Sequence, residues 1–324
     1  MPITMSKFRP PRWARSPHVQ TILPVLTKVK LPPLQRERLT LNDGDFIDLD
    51  WLGTPQKNQP IVVILHGLEG SSDSHYVRRI LNSCQQSGLA AVVHHHRSCS
   101  GEQNVLPRSY HSGDTVDISH MFTNLKAQFP DSPLFAVGYS LGGNMLAKYL
   151  GEQQQQSLIE RAIVVSAPLK LSACAKRLEK GFSRIYQSHL IKQLQSKLIK
   201  KIETPAFKDK MPVTKERAPS LNSFYEFDDK VTAPLHGFKG VDDYYLRASG
   251  LPYLATISVP TLILHAKDDP FMTDEVIPTA EHLSDFVQYE LAQHGGHVGF
   301  INGGNLLNPS YYLEPKIIGF LLSH

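Results

Sequence analysis

Leu134-Phe-Ala-Val-Gly-Tyr-Ser-Leu-Gly-Gly143 is the stretch on which the fold turns. Its first residues form an apolar run without polar alternation, which is how a strand covered on both faces reads. From Leu141 to Glu152 the pattern suits a helix. Between the two lies Gly138-Tyr139-Ser140-Leu141-Gly142, the pattern G-x-S-x-G. Five such residues alone are weak evidence. Between a strand and a helix they describe a sharp turn that lifts a serine hydroxyl above the sheet. The backbone is strained there and the two elements pass close together, so the flanking positions call for small residues, here Gly138 and Gly142. The helix that starts at the turn offers its N-terminus to any negative charge that develops nearby.

Outward from this unit the same rhythm repeats. Ile61–Leu65 reads as a buried strand, residues 75–86 as a helix and 89–95 as a strand. Residues 114–128 suit a helix, 161–165 and 260–265 suit strands, and a helix near 276–283 and a strand near 286–291 follow. A last helix is predicted over 312–322. Before them, two alternating runs flank Asn42-Asp43-Gly44, a hairpin signal over 36–51. Strands alternating with helices predict an α/β fold: a mostly parallel central sheet, helices on both faces, and antiparallel edge strands from the hairpin. The whole chain, residues 1–324, reads as one domain. Residues 1–34, rich in proline and basic residues, read as an irregular N-terminal arm. Residues 168–250 break the rhythm, and an insertion of that length in a compact domain is usually functional, often a lid.

A serine hydroxyl needs a general base to become a nucleophile. In this strand–turn–helix arrangement an acid and then a histidine follow the serine in chain order. The strand after the insertion ends in Asp268-Asp269-Pro270, so either carboxylate is placed to serve. The loop after the last strand reads Gln293-His-Gly-Gly-His-Val-Gly-Phe300. His297, flanked by Gly295-Gly296 and Gly299, suits a loop that brings an imidazole close to backbone, and is favoured over His294. Acyl transfer also needs two N–H groups for the developing oxyanion. Leu141, after the serine, supplies one, and Leu68 in His66-Gly-Leu-Glu-Gly70, after the first parallel strand, supplies the other.

His94-His95-His96 invites a metal reading. Neighbours on a strand point to opposite faces, so three in a row do not converge on one ion; packing and loop hydrogen bonds are the expected roles. With Cys84, Cys99 and Cys174 there is neither a CxxC pair nor a disulfide framework. No metal and no cofactor is expected. The N-terminus has no apolar signal region and no apolar run approaches ~18 residues, so a soluble, cytoplasmic protein without a membrane span is expected. The formal charge of +4 spread over 324 residues says little about partners. Its distribution says more: residues 170–217 hold 13 Lys and Arg against 4 acidic residues. Leu178, Phe182, Ile185, Leu190, Leu194 and Leu198 recur there at helical spacing, the pattern of a basic amphipathic helix. One reading packs its apolar face on the core and leaves the lysines in water. A sharper one brings the lysines into transient contact with an anionic lipid surface or ligand. No nucleic-acid-binding motif accompanies the charge, and nucleic acid is not an expected partner.

Taken together, Pro17-His-Val-Gln-Thr21, Asp43-Gly-Asp-Phe46, His66-Gly-Leu-Glu-Gly70, Tyr110-His-Ser-Gly113, Gly138–Gly143, Glu226-Phe-Asp-Asp229, Asp268-Asp-Pro-Phe271 and Gly295–Phe300 resemble the YheT-like branch of the α/β-hydrolases. The resemblance spans nearly the whole chain. It implies the α/β-hydrolase fold with a helical lid insertion, and a Ser140, Asp269 and His297 triad; it selects Asp269, directly before Pro270, over Asp268. It also implies acyl esters, lipid-like in character, as substrates. One departure stands on the active-site rim: where the family shows Phe-Arg-Gly before a Cys-Ser-Gly-Glu stretch, this chain has His96-Arg97-Ser98 before Cys99-Ser-Gly-Glu102. The leading expectation is a serine hydrolase working on a small-molecule acyl ester through an acyl-enzyme. The alternatives are an acyltransferase in which an alcohol replaces water, and a hydrolase-like fold used only for binding. The sequence leaves the oligomeric state open.

Overall fold

The computed structural model of the protein describes residues 3–207 and 209–323; Met1, Pro2, Lys208 (one of the insertion's basic residues) and His324 lie outside them. The described residues build a sheet in the order β1-β9-β8-β7-β6-β4-β5-β3-β2. Its strands are β1 (Ile3–Met5), β2 (Gln35–Thr40), β3 (Phe46–Leu52), β4 (Ile61–Leu65), β5 (Ala90–His94), β6 (Leu134–Tyr139), β7 (Arg161–Val165), β8 (Thr261–Ala266) and β9 (Val287–Ala292). The hairpin β2–β3 and the β3–β5 pair are antiparallel, and the strands from β5 to β1 run parallel. The helices α1 (Pro17–Leu26), α2 (His75–Gln86), α3 (Thr115–Gln128) and α4 (Leu141–Gln153) accompany this sheet. Between β7 and β8 come α5 (Leu171–Leu178), α6 (Ser183–Glu203), α7 (Phe224–Phe227), α8 (Ala233–Leu235) and α9 (Val241–Ala248). A small ribbon, β10 (Ile301–Gly304) with β11 (Pro309–Tyr311), and the helix α10 (Leu313–Leu321) close the chain.

The unbroken apolar runs sit where the pattern places them. Ile61 through Leu65 are all fully buried, and odd and even positions enter two different cores, one on each face of the sheet. Val63 and Leu65 join α3 and α4 residues such as Phe122 and Leu146, while Val62 and Ile64 join Val77 and Ile80 of α2. Each such side chain contributes on the order of 1.5–3 kcal/mol. With apolar burial on both faces, the register of the central strands is strongly specified.

Two expectations fail on local grounds. The predicted helix near 276–283 is a pair of short 3-10 turns, Asp274–Val276 and Ala280–His282. Pro278 lies between them, and a helix there would lose a backbone donor and clash with the preceding turn. The N-terminal arm is irregular only in part, over residues 6–11 and 27–34. Its β1 pairs in parallel with β9 at the sheet edge, and α1 packs beside the loop that carries His297. A three-residue strand has no pattern of its own; it exists because Ile3 to Met5 meet Tyr289 to Leu291. No helix among the described residues is long and apolar enough to cross a membrane.

Candidate active site

The turn between β6 and α4 holds Ser140 at φ +51°, in the left-handed region that a side chain rarely adopts. Ser140 N–H donates to the Val165 carbonyl at 2.8 Å, which fixes the turn to the neighbouring strand. A Cβ at Gly142 would run into the carbonyls of Leu65 and His66, and one at Gly138 would meet Gly142 and Gly143. These two positions therefore tolerate only glycine, and strand and helix cross at backbone distance.

His297 stands at the C-terminal end of β9, in the Gly-rich loop, and faces this turn. Its Nδ1 lies 2.8 Å from Asp269 Oδ2 and its Nε2 lies 2.9 Å from Ser140 Oγ. A carboxylate only accepts, so the Nδ1 side carries the proton and Nε2 is left to accept from the serine hydroxyl. The Asp269 side chain is fully buried, and its second oxygen accepts from the Phe271 N–H at 2.8 Å. Asp268 points elsewhere: it accepts from the Gly296 N–H at 3.0 Å and pairs with His294 Nδ1 at 3.2 Å. The pair Asp268 and His294 thus ties the loop's entrance to the end of β8, while Asp269 and His297 turn inward. Burial raises the Asp268 carboxyl above its ordinary value.

Four contacts hold His297 in place that no motif rule names. The Phe271 ring lies on the imidazole face, centroids 4.0 Å apart and planes within 4°. The His297 N–H donates to Thr21 Oγ1 at 2.9 Å, and Gln20 Oε1 accepts from the Ile301 N–H at 2.6 Å. Ser166 Oγ accepts from the Val298 N–H at 3.2 Å. Val298 sits at φ +59°, an outlier for a β-branched residue, so the neighbouring contacts must hold the loop against strain. Thr21 and Phe271 fall inside stretches quoted above, Pro17–Thr21 and Asp268–Phe271, yet nothing in their spacing announces an imidazole as their target.

Leu68 and Leu141 flank the serine from two sides, and both line the same pocket as Ser140 and His297. The N–H groups on either side of Leu68 are already taken. Gly67 N–H donates to Tyr76 Oη and Glu69 N–H to Tyr110 Oη, each at 2.8 Å. Among the described residues the Leu68 N–H makes no hydrogen bond, between two occupied neighbours. The pocket beyond is apolar, walled by Leu178, Leu194, Leu198, Phe227, Val231 and Tyr244 among others.

The three consecutive histidines do not converge. His95 Nε2 pairs with Asp50 Oδ2 at 2.7 Å, and His96 Nε2 donates to the His66 carbonyl at 2.9 Å. Burial pushes His96 down to about 4 and His66 and His94 well below their ordinary values. The rim departure has a physical shape: Ser98 sits at φ +62°, where a glycine would carry no strain, and Arg97 is buried against Asp43, Asp45 and Asp117. One further group, His111, Asp114 and His236, brings three metal-type donors within 4.8 Å of one another. Asp114 already pairs with Arg108 at 2.7 Å, and that guanidinium opposes a second cation. The insertion's lysines do not all stay in water. Lys201, 2% exposed, donates to the carbonyls of Leu106, Pro107 and Arg108, and Lys197 reaches Glu69 at 2.7 Å. Phe182 and Ile185 of the apolar stripe are exposed, Phe182 with its ring against that of His18, centroids 4.2 Å apart.

Comparison with known proteins agrees with this architecture. The sequence profile of the alpha/beta hydrolase fold matches residues 60–304. The "Putative esterase YheT" of Escherichia coli (strain K12) is 44% identical over 98% of this chain and 94% of its own. The chain belongs to the α/β-hydrolase family, in its YheT-like branch. Another relative, "Phospholipase ABHD3" of Bos taurus, is 29% identical over 93% of this chain and 75% of its own length. Among solved structures, the Pyrococcus furiosus esterase Pf2001 superposes with a TM-score of 0.54 at 17% identity, covering 84% of this chain and 91% of that one. That likeness is one of α/β-hydrolase fold alone.

Proposed function

We propose that this α/β-hydrolase is a serine carboxylic-ester hydrolase that cleaves acyl, lipid-like esters through an acyl-enzyme on Ser140. The observation that carries the reading is the line of two short contacts, Asp269 to His297 at 2.8 Å and His297 to Ser140 at 2.9 Å, opening into an apolar pocket. Ser140 Oγ attacks the ester carbonyl while His297 Nε2 takes its proton. Asp269 holds the tautomer and stabilises the imidazolium. The Leu68 and Leu141 N–H groups receive the tetrahedral oxyanion, each contributing about 3 kcal/mol. The imidazolium then returns the proton to the departing alcohol. In the second half water attacks the acyl-enzyme carbonyl and gives its proton to His297, and the imidazolium returns that proton to Ser140 Oγ as the acyl–oxygen bond breaks, releasing the carboxylic acid and free serine. Residues 168–250 act as the lid of one domain spanning the chain, and their apolar wall receives the acyl chain. The names of the relatives, an esterase and a phospholipase, support an ester substrate of this class.

The test uses purified protein with p-nitrophenyl esters of graded chain length and a fluorophosphonate probe. The expected result is turnover that depends on chain length, with probe labelling lost in Ser140→Ala. An added alcohol that yields a new ester would identify acyl transfer instead of hydrolysis. Absence of both labelling and turnover would overturn the reading.

A further inference from the structure

Glu69 follows Leu68 and sits at φ +56°, a conformation an unsupported glutamate does not keep. Three contacts keep it there. Its N–H donates to Tyr110 Oη at 2.8 Å, Tyr110 Oη donates to Glu69 Oε1 at 2.7 Å, and Glu69 Oε2 takes the Lys197 ammonium at 2.7 Å. The Glu69 side chain is 3% exposed, so this pair is shielded from water on the carboxylate side. Tyr110 is fixed from behind by the His96 ring, stacked with centroids 4.9 Å apart. Lys197 belongs to α6, far along the chain and outside the sheet. Burial works against its charge, yet the Cys99 sulfur and the Glu69 carboxylate raise its ammonium above the ordinary value. Four residues further along α6, Lys201 holds the carbonyls of 106–108, the approach to Tyr110.

We infer that Lys197 and Glu69 form a latch by which the lid helix α6 sets the backbone of residues 67–69, and with it the aim of the Leu68 N–H at the oxyanion. The inference rests on the proposed serine mechanism and adds a positioning role for two residues that do not touch the reacting atoms. The physical chain is short. A strained peptide relaxes when its restraints go, and Glu69 would lose one of two side-chain anchors with the Lys197 ammonium. Rotation at Glu69 turns the peptide that links it to Leu68 and displaces the neighbouring N–H. A donor shifted by a fraction of an ångström loses about half of its worth to a transition state while leaving ground-state binding in the apolar pocket unaltered. Lid placement and oxyanion geometry are thereby coupled: the donor is aimed when α6 lies over the site.

The experiment measures kcat and KM for a short neutral ester with wild type, Lys197→Met, Lys197→Arg and Glu69→Gln, together with the affinity for a trifluoromethyl ketone, whose adduct places an oxyanion at the same point. The latch predicts that Lys197→Met and Glu69→Gln lower kcat about tenfold with KM within about twofold, and weaken the ketone by the same factor. Lys197→Arg, which keeps the charge, recovers most of kcat. Fluorophosphonate labelling of Ser140 in wild type is run alongside. If wild type neither labels nor turns over, the serine mechanism fails. If wild type labels and the folded variants keep wild-type kcat, or change KM alone, the latch is overturned and the mechanism stands. Should Lys197→Met not fold, Glu69→Gln carries the same comparison with only one atom changed.

Discussion

The sheet and the insertion make this site by different means. Behind Ser140 the chain is held by backbone: the Ser140 N–H on Val165, glycines that let α4 cross β6, and buried residues on both sheet faces. Above it, the segment between β7 and β8 is held by side chains. Lys201 sits on three carbonyls, Lys197 on Glu69, and Asp228 accepts the hydroxyls of Thr232 at 2.7 Å and Tyr245 at 2.9 Å. The first kind of order depends on shape; the insertion has apolar clusters of its own, around Leu171 and Tyr244 and around Leu198 and Phe227, and adds contacts that depend on charge state. Substitutions in the sheet half should therefore act on chemistry, and those in the insertion should act on access, alignment and pH response.

The largest expected effect tests the sheet half. Ser140→Ala should lower kcat for a p-nitrophenyl ester by at least about a thousandfold without changing the fold, since the proposed mechanism has no substitute for its nucleophile. Turnover near that of wild type would remove the serine from the mechanism. Next comes the choice between neighbours. Both Asp269 oxygens accept from N–H donors, Phe271 and His297, so an amide cannot serve both. Asp269→Asn should cost on the order of 10³ or more in kcat, and Asp268→Asn, whose oxygen still accepts from Gly296, less than about tenfold. The reverse order would exchange their roles.

The insertion is tested by pH. Burial pushes the Asp228 carboxyl up to about 7 from 3.8. The folded protein then holds this proton more tightly than the unfolded chain does. The stability linked to it is complete below the unfolded value, and is lost as pH rises towards the folded one. Asp228→Asn cannot ionise. Its melting temperature relative to wild type should climb between pH 4 and pH 7 and level off above, measured by scanning fluorimetry. A difference independent of pH would contradict the buried neutral carboxyl. The smallest effect belongs to the insertion's outer face. Lys192 and Lys200 are exposed, and reversing both to Glu should leave kcat/KM for a short neutral ester within about twofold. A large loss would show that these charges, and not only Lys197 and Lys201, reach the site.

Legibility in the sequence follows the same division. Residues 61–65, 75–86 and 134–153 carry period and punctuation of their own, and the corresponding elements lie where the patterns put them. The sheet's two sides, the hairpin and the G-x-S-x-G turn were readable because each is decided within a few residues. What was not readable depends on partners distant in the chain. Ile3–Met5 becomes a strand only against β9, and Thr21 acquires a purpose only when the His297 loop arrives 276 residues later. Phe271 under the imidazole and Tyr110 on Glu69 are aromatic residues in loops, with no periodicity to mark them. Lys197 and Lys201 read as members of a solvated basic face, because composition reports charge and not direction. The predicted helix at 276–283 failed for a nearer reason, Pro278, which outweighs the favourable residues around it.

The central claim is that Ser140, aimed by His297 and Asp269, becomes acylated during turnover. Rapid mixing with a chromogenic ester, acid quenching and peptide mass analysis measure this directly. The account predicts an acyl group on the peptide containing Ser140, appearing in the same time as the first equivalent of released alcohol, and absent from Ser140→Ala. Release of alcohol by active wild-type enzyme with the acyl group on another residue would contradict it.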